Sequence, residues 1–291
     1  MANLKEIKTR IGSVQKTRQI TSAMKLVSGA KLARATGAAK AAQPYQEQLA
    51  GVLQRVGSAA GESVSNPLLK SRDSVKSVLF GVLTTDRGLC GGFNNNLLRR
   101  VMSKAAELRA SGVKVDIVVF GRKGADFLRG RGIEVVDAII NYAKVERMDL
   151  VRPFSERAET GFVAGDYDEV WLGYNHFVNT ITQDPTFQQV LPLTVEASDD
   201  GGEGVSEFEY EPSAEKLLDS LLPLYLRTLI LQAFLETDAG EQAARMTAME
   251  NATRNASDLI GSLTLEYNRA RQAAITTEII EIVSGAEALK G

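Results

Sequence analysis

MTAMENATRNASDLIGSLTLEYNRARQAA, residues 246–274, carries apolar side chains at Met246, Met249, Ala256, Ile260, Leu263, Tyr267, Ala270 and Ala274. Most of these intervals alternate between three and four, the mark of a heptad-like stripe on a helix. A stripe two residues wide cannot bury itself, so this helix needs a partner. The other end of the chain offers one, because Leu4, Ile7, Ile11 and Val14 open a second stripe with the same spacing. Neither Met1 to Gln43 nor Leu224 to Gly291 contains proline. These features predict an antiparallel coiled coil between the N-terminal helix (1–57) and the C-terminal helix (208–291). At ~1.5 Å per residue, helices over 2–57 and 213–286 would be ~80 and ~110 Å long. Such lengths exceed a compact domain of this mass and point to a mechanical or docking part.

The first stripe carries a phase problem. A strict heptad after Val14 would put Arg18 and Lys25 in the seam, whereas apolar residues fall at Ile20, Met24 and Val27. The spacing predicts a stammer near Thr17 that overwinds the supercoil locally. Pro44 predicts a kink or a frayed distal half. The Gly-, Ser- and Asn-containing stretch 57–66 should end the helix.

Between the helical ends, residues 75–195 alternate strand and helix patterns. Strands are predicted at 75–83, 113–120, 133–138 and 169–174, with helices at 94–111, 123–131 and 152–164. Phe177 to Thr182 and Phe187 to Leu193 should flank a turn at 183–186. This order implies a Rossmann-like α/β domain, a mostly parallel sheet with an antiparallel edge. The acid- and Gly-rich stretch 195–205 reads as a linker.

Composition narrows the class further. A single cysteine, Cys90, excludes an internal disulfide, and the charge-studded N-terminus lacks the apolar core of a secretory signal. The greasiest run, 217–235, contains Asp219, Pro223, Arg227 and Gln232, which argues against a membrane span and against direct membrane insertion. Charge is unevenly distributed. In the first 46 residues Lys5, Lys8, Arg10, Lys16, Arg18, Lys25, Lys31, Arg34 and Lys40 stand against one acid, Glu6, while 199–219 is strongly acidic. Without aromatic residues in the first 44 positions or any recognisable nucleic-acid motif, the basic helix does not read as a nucleic-acid binder.

The search for chemistry yields little. Gly88-Leu89-Cys90-Gly91-Gly92 lies between a strand and a helix but matches neither the dinucleotide fingerprint nor the phosphate loop. Cys90 has no histidine beside it in sequence, and His176 is the only histidine, so no multi-histidine metal site can form. No catalytic residues, metal ligands or cofactor site are expected. Two readings stay open on these grounds: a doubly wound enzyme with helical appendages, and a coiled-coil adaptor with a Rossmann-like docking domain.

The C-terminal segment Ile275-Thr276-Thr277-Glu278-Ile279-Ile280-Glu281-Ile282-Val283-Ser284-Gly285-Ala286-Glu287-Ala288 resembles the signature of the F-type ATP synthase gamma subunit family. Ser22-Ala23-Met24-Lys25-Leu26-Val27, Asp86-Arg87-Gly88-Leu89-Cys90-Gly91-Gly92-Phe93-Asn94 and Glu241-Gln242-Ala243-Ala244-Arg245-Met246 resemble three further family segments, in the family order. The resemblance implies a rotor shaft that carries rotation of the membrane c ring to the alpha-beta catalytic hexamer. Proton translocation is thereby coupled to ATP synthesis and hydrolysis on other subunits. It implies torque contacts to the beta subunits at Met24, Lys25, Arg245, Arg271, Gln272, Thr276 and Glu278. It places a foot on the c ring at Phe208, Tyr210 and Glu211, and an epsilon-subunit contact at Asp86, Cys90 and Asn94. An inhibitory subunit is a further candidate partner. The implied location is peripheral, on the cytoplasmic face of a bacterial inner membrane.

Overall fold

The computed structural model describes residues 4–60, 66–194, 210–211 and 213–288. Five strands form one sheet in the order β3-β2-β1-β4-β5. They are β1 (Ser77–Leu83), β2 (Lys114–Phe120), β3 (Asp137–Ile139), β4 (Glu169–Phe177) and β5 (Gln183–Leu191). β1 pairs in parallel with β2 and β4, β2 in parallel with β3, and β4 antiparallel with β5. The helices are α1 (Leu4–Ala60), α2 (Phe93–Ala110), α3 (Arg122–Arg129), α4 (Arg147–Ala164) and α5 (Ala214–Ala288). The chain divides into two compact units, residues 29–245 and the pair 1–28 with 246–291.

In the larger unit, period-two alternation sends successive side chains to opposite faces of the sheet. Val78, Phe80, Val82, Ile117 and Val119 meet Leu97, Leu98 and Val101 of α2 and Leu128 of α3. Leu79, Leu83, Val118, Phe120, Val170 and Leu172 face the other way, into a cluster with Phe154 and Phe162 of α4. Leu49, Leu53 and Val56 of α1 join that cluster, as do Leu218, Leu222, Leu226, Ile230 and Phe234 of α5. Each such buried side chain contributes roughly 1.5–3 kcal/mol. The same segment explains a departure from expectation. α5 contains an 18-residue window apolar enough by length and composition to cross a membrane, with 44% of it buried. Leu218, Leu222, Leu226, Ile230 and Phe234 of that helix are buried in this core.

Several boundaries move. α1 runs through Pro44 without ending, and its distal half is held by Leu49, Leu53 and Val56 rather than frayed. Pro44 is exposed, so the carbonyl deprived of its amide partner faces water. The third strand is shorter than expected and shifted to 137–139. The hairpin turn falls at 178–182 instead of 183–186, where the Asn179 carboxamide accepts from the amides of Ile181 and Thr182. Pro185 therefore lies within β5, tolerated because β5 is an edge strand. The 195–205 linker and Phe208 lie outside the described residues.

In the smaller unit the heptad continues in phase and the expected stammer is absent among the described residues. Ile7, Thr21 and Ser28 are buried, whereas Ile20 and Val27 are 60% and 56% exposed. The seam tolerates polar residues because they find one another. The Thr21 and Thr253 hydroxyls lie 2.7 Å apart, and Lys25 pairs with Glu250. These cross-links join an ascending 21–25 to a descending 253–250, so the helices are antiparallel. On α5 the buried or part-buried positions follow the expected stripe from Met246 to Ala274, with Thr253 filling the interval of seven.

The centre of β1 is tightly packed. A Cβ on Gly81 would stand 2.5 Å from Phe154 Cζ and 2.9 Å from Leu172 Cδ2. Gly81→Ala should destabilise the larger unit by about 1–3 kcal/mol, read as a lower urea midpoint for the core transition.

Candidate functional site

In an open α/β sheet, ligands bind outside the carboxyl ends of the strands, where the chain changes direction across the sheet. Here that point lies between β1 and β4, and α5 fills it. Gly240 of α5 packs against Phe93, the first residue of α2; a Cβ there would stand 2.8 Å from the Phe93 ring. The Asn175 side chain of β4 donates to the Phe93 carbonyl. The glycine-rich turn after β1 is closed from the other side by Arg245, which is 8% exposed, pairs with Glu241 at 2.7 Å and donates to the Gly88 carbonyl at 3.3 Å. Burial pushes the Glu241 carboxyl above its ordinary range, against the opposing pull of Arg245.

Within the turn, Asn94 reads the backbone. Its oxygen accepts from the Thr85 amide at 3.0 Å, and its nitrogen donates to the Thr85 hydroxyl and the Cys90 sulfur. Asp86 accepts from the amides of Arg122 and Asn141, tying the end of β1 to α3 and to the short 3-10 turn at Tyr142–Lys144. Cys90 is 2% exposed, and burial raises its thiol pKa despite nearby Arg245. The turn is therefore an internal dock for α5. Cys90 and Asn94 offer almost no surface to a partner; the exposed members are Arg87, Leu89, Gly91 and Gly92, with Leu89 65% exposed at φ 64°.

A second polar cluster joins α4 to α5. Arg147 grips Asp238 bidentately, Nε to Oδ2 at 2.6 Å and Nη2 to Oδ1 at 2.9 Å. Tyr142 is buried beside it, donates its hydroxyl to the Thr84 carbonyl, and has its pKa raised well above the ordinary value, chiefly by burial. Neither Arg147 nor Asp238 was singled out by sequence reasoning. A signal existed: Phe234, Asp238, Glu241 and Arg245 recur at four, three and four, which puts charged groups on the core-facing stripe of α5. His176, at the end of β4, sits 2.6 Å from Glu236. It borders an open groove of about 490 Å³ lined in part by Lys40, Gln43, Glu47, Tyr174 and Glu236.

The remaining sequence-derived positions are scattered. Met24 and Lys25 are part-buried on α1, and the Glu250 hydrogen bond to Lys25 holds that carboxyl below its ordinary range. Arg271, Gln272, Thr276 and Glu278 are all exposed on α5. At ~100° per residue, Gln272 and Thr276 point away from the seam, whereas Arg271 and Glu278 flank it. Tyr210 packs part-buried against the core and Glu211 is exposed. Arg245 is not on the surface at all, because Glu241 and Gly88 engage it inside the fold.

A unit of two helix ends wound together, and a unit in which a five-stranded sheet packs against helices, define a protein of the coiled-coil and docking-domain class. Comparison narrows this. A family model described as ATP synthase matches residues 3–289. ATP synthase gamma chains from Geobacter sp. (strain M21) and Desulforamulus reducens are 47% and 44% identical, each alignment covering all of both chains. A chain of the Tetrahymena thermophila mitochondrial ATP synthase central stalk and c-ring structure is 27% identical with a TM-score of 0.58, covering 80% of this chain and 99% of that one. A chain of the Euglena gracilis mitochondrial ATP synthase in rotational state 3 shares the fold at a TM-score of 0.69 and 19% identity, covering 98% and 94%. The chain belongs to the ATP synthase gamma chain family, and its role is that of the rotor shaft of an F-type ATP synthase.

Because its own α5 covers Cys90, the thiol should be protected without any partner. Alkylation of the isolated native chain at neutral pH should run on the order of a hundredfold slower than in the urea-unfolded chain. The sign of the pH effect follows from the raised thiol pKa. Its contribution to stability is present below the unfolded-state value and is lost as pH rises through the folded one.

Proposed function

We propose that this chain turns inside the alpha-beta hexamer, stands on the c ring and carries the epsilon subunit on its α/β module. The complex would be peripheral on the cytoplasmic face of a bacterial inner membrane. The observation that carries this reading is the end of α5. Past Ala274, the last seam position, every described side chain through Glu287 is exposed, including Ile275, Ile279, Ile280, Ile282 and Val283. A helix that keeps large apolar residues on several faces in water is built for a surrounding sleeve. Hexamer subunits would supply it.

Torque contacts to the beta subunits fall on the exposed positions Arg271, Gln272, Thr276 and Glu278, with Met24 and Lys25 on α1. Charge-assisted hydrogen bonds from Arg271 are worth ~1.5–3 kcal/mol each, strong enough to hold a dwell and weak enough to break on rotation. Arg245 serves the shaft from within, by holding α5 to the turn after β1. At the foot, Glu211 is the exposed member and Tyr210 backs it from the core. The epsilon subunit would meet the α/β module through the exposed rim of the same turn, Arg87 and Leu89, with Asp86, Cys90 and Asn94 shaping that rim from behind.

Replacing Arg271 and Gln272 together by leucine should lower multi-site ATP hydrolysis and synthesis by the reconstituted complex at least about tenfold, as loss of ~1.4 kcal/mol would, without preventing assembly. The same change at the exposed Lys8 or Lys40 should have a mild effect, since isolated surface charges are screened. Equal losses at all four positions would show that the contacts are diffuse. At the foot, Glu211→Gln with Tyr210→Phe should reduce ATP-driven proton pumping while hydrolysis by the detached catalytic head persists; pumping at the wild-type ratio would remove the foot assignment.

A further inference from the structure

An apolar stripe holds a helix against a sheet but does little to stop it rolling. Leu226, Ile230 and Phe234 bind α5 to the core through dispersion and burial, which have no preferred direction. Transmission of torque needs a contact that fixes the angle of α5 about its own axis. The Arg147–Asp238 pair has that property. A planar guanidinium meeting a carboxylate through two parallel hydrogen bonds defines an orientation as well as a distance, which a lysine ammonium does not.

The guanidinium is itself braced. Its Nη1 donates to the Tyr142 and Val145 carbonyls at 3.2 and 2.9 Å, and its carbon stands 5.3 Å from the Tyr142 ring centroid. Tyr142 donates to the Thr84 carbonyl directly beyond β1, and the Asp86 carboxylate takes the amide of Asn141 next to it. Hydrogen bonds and packing therefore run from Asp238 on α5, through Arg147 and Tyr142, to the residues that end the central strand. The pair is only 18% and 23% exposed, so salt screens it weakly. About two turns further along α5, Arg245 adds a second attachment on the same stripe through the Gly88 carbonyl.

We propose that Arg147 and Asp238 are positioning residues for rotary coupling: they lock α5 against axial rotation within the α/β module, so that torque delivered to the module is passed into the helix instead of being lost as slip. This rests on the rotor-shaft reading.

The test uses the whole complex in proteoliposomes, with protons moved per ATP hydrolysed measured against an opposing gradient. Asp238→Asn keeps the shape but removes the charge and one acceptor; it should lower the ratio about fivefold or more. Arg147→Lys keeps the charge without the fork and should give an intermediate ratio; it also serves if the asparagine variant fails to assemble. The exchange Arg147→Asp with Asp238→Arg should bring the ratio back to within about twofold of wild type. A purely structural pair would lower the amount of assembled complex and leave the ratio per complex untouched. A wild-type ratio in both single variants, or an exchange no better coupled than either of them, overturns the lock. A wild-type complex in which this chain supports no coupled pumping overturns the rotor reading and the lock together.

Discussion

A narrow apolar stripe on a long helix is stable in water only when something else covers it, and α5 meets that requirement with two different surfaces. From Leu218 to Phe234 the covering surface is the α/β module, where the stripe meets Leu79, Leu83 and Phe120 of the sheet and Phe154 of α4. From Met246 to Ala274 it is α1, through a seam that includes Ile7, Thr21 and Lys25. α1 is used twice as well: residues 4–28 belong to the two-helix unit, and Leu49, Leu53 and Val56 join the core of the module. The architecture follows from these demands. One continuous helix commits each part of its length to a different neighbour.

α5 meets the sheet at the place where Rossmann-like domains hold a ligand, the crevice beyond the carboxyl ends of β1 and β4. Here Gly240, Glu241 and Arg245 occupy it, and the glycine-rich turn closes on a side chain of the same protein. Fold and function separate at this point. A binding cleft has become a socket for a helix, and the backbone carbonyl of Gly88 receives a guanidinium.

Polar residues placed in or beside packed surfaces give the structure its specificity. Thr21 with Thr253 and Lys25 with Glu250 satisfy one another across the seam, and a register slip would separate them. In the module, Arg147 with Asp238 and Arg245 with Glu241 set how α5 lies in its socket. Such contacts add little net stability, because desolvation opposes the attraction. Their value is geometric: Arg147 with Asp238 and Arg245 with Glu241 are largely buried, and buried partners that must be paired exclude most alternative packings.

Much of this was legible in the residues. The threes and fours from Met246 to Ala274, the short apolar runs along 75–83 and 113–120, and the C-terminal signature around Thr276 and Glu278 are local patterns, and local patterns survive in a linear sequence. The α/β class, the paired terminal helices and the family follow from them. Tertiary structure decided the remainder. Thr21 and Lys25 look out of place in an apolar seam until Thr253 and Glu250 arrive from more than two hundred residues away. Asn179 held the hairpin turn that Gln183 to Thr186 seemed to offer. Arg245, a surface contact by family resemblance, is enclosed by Gly88 and Glu241, and Cys90 and Asn94 lie behind the rim they were expected to form. In each case the sequence determined the side chain's chemistry and its face on the helix or strand. What covered that face depended on which distant segment could satisfy its charge or hydrogen bonds, and that is a property of the folded chain alone.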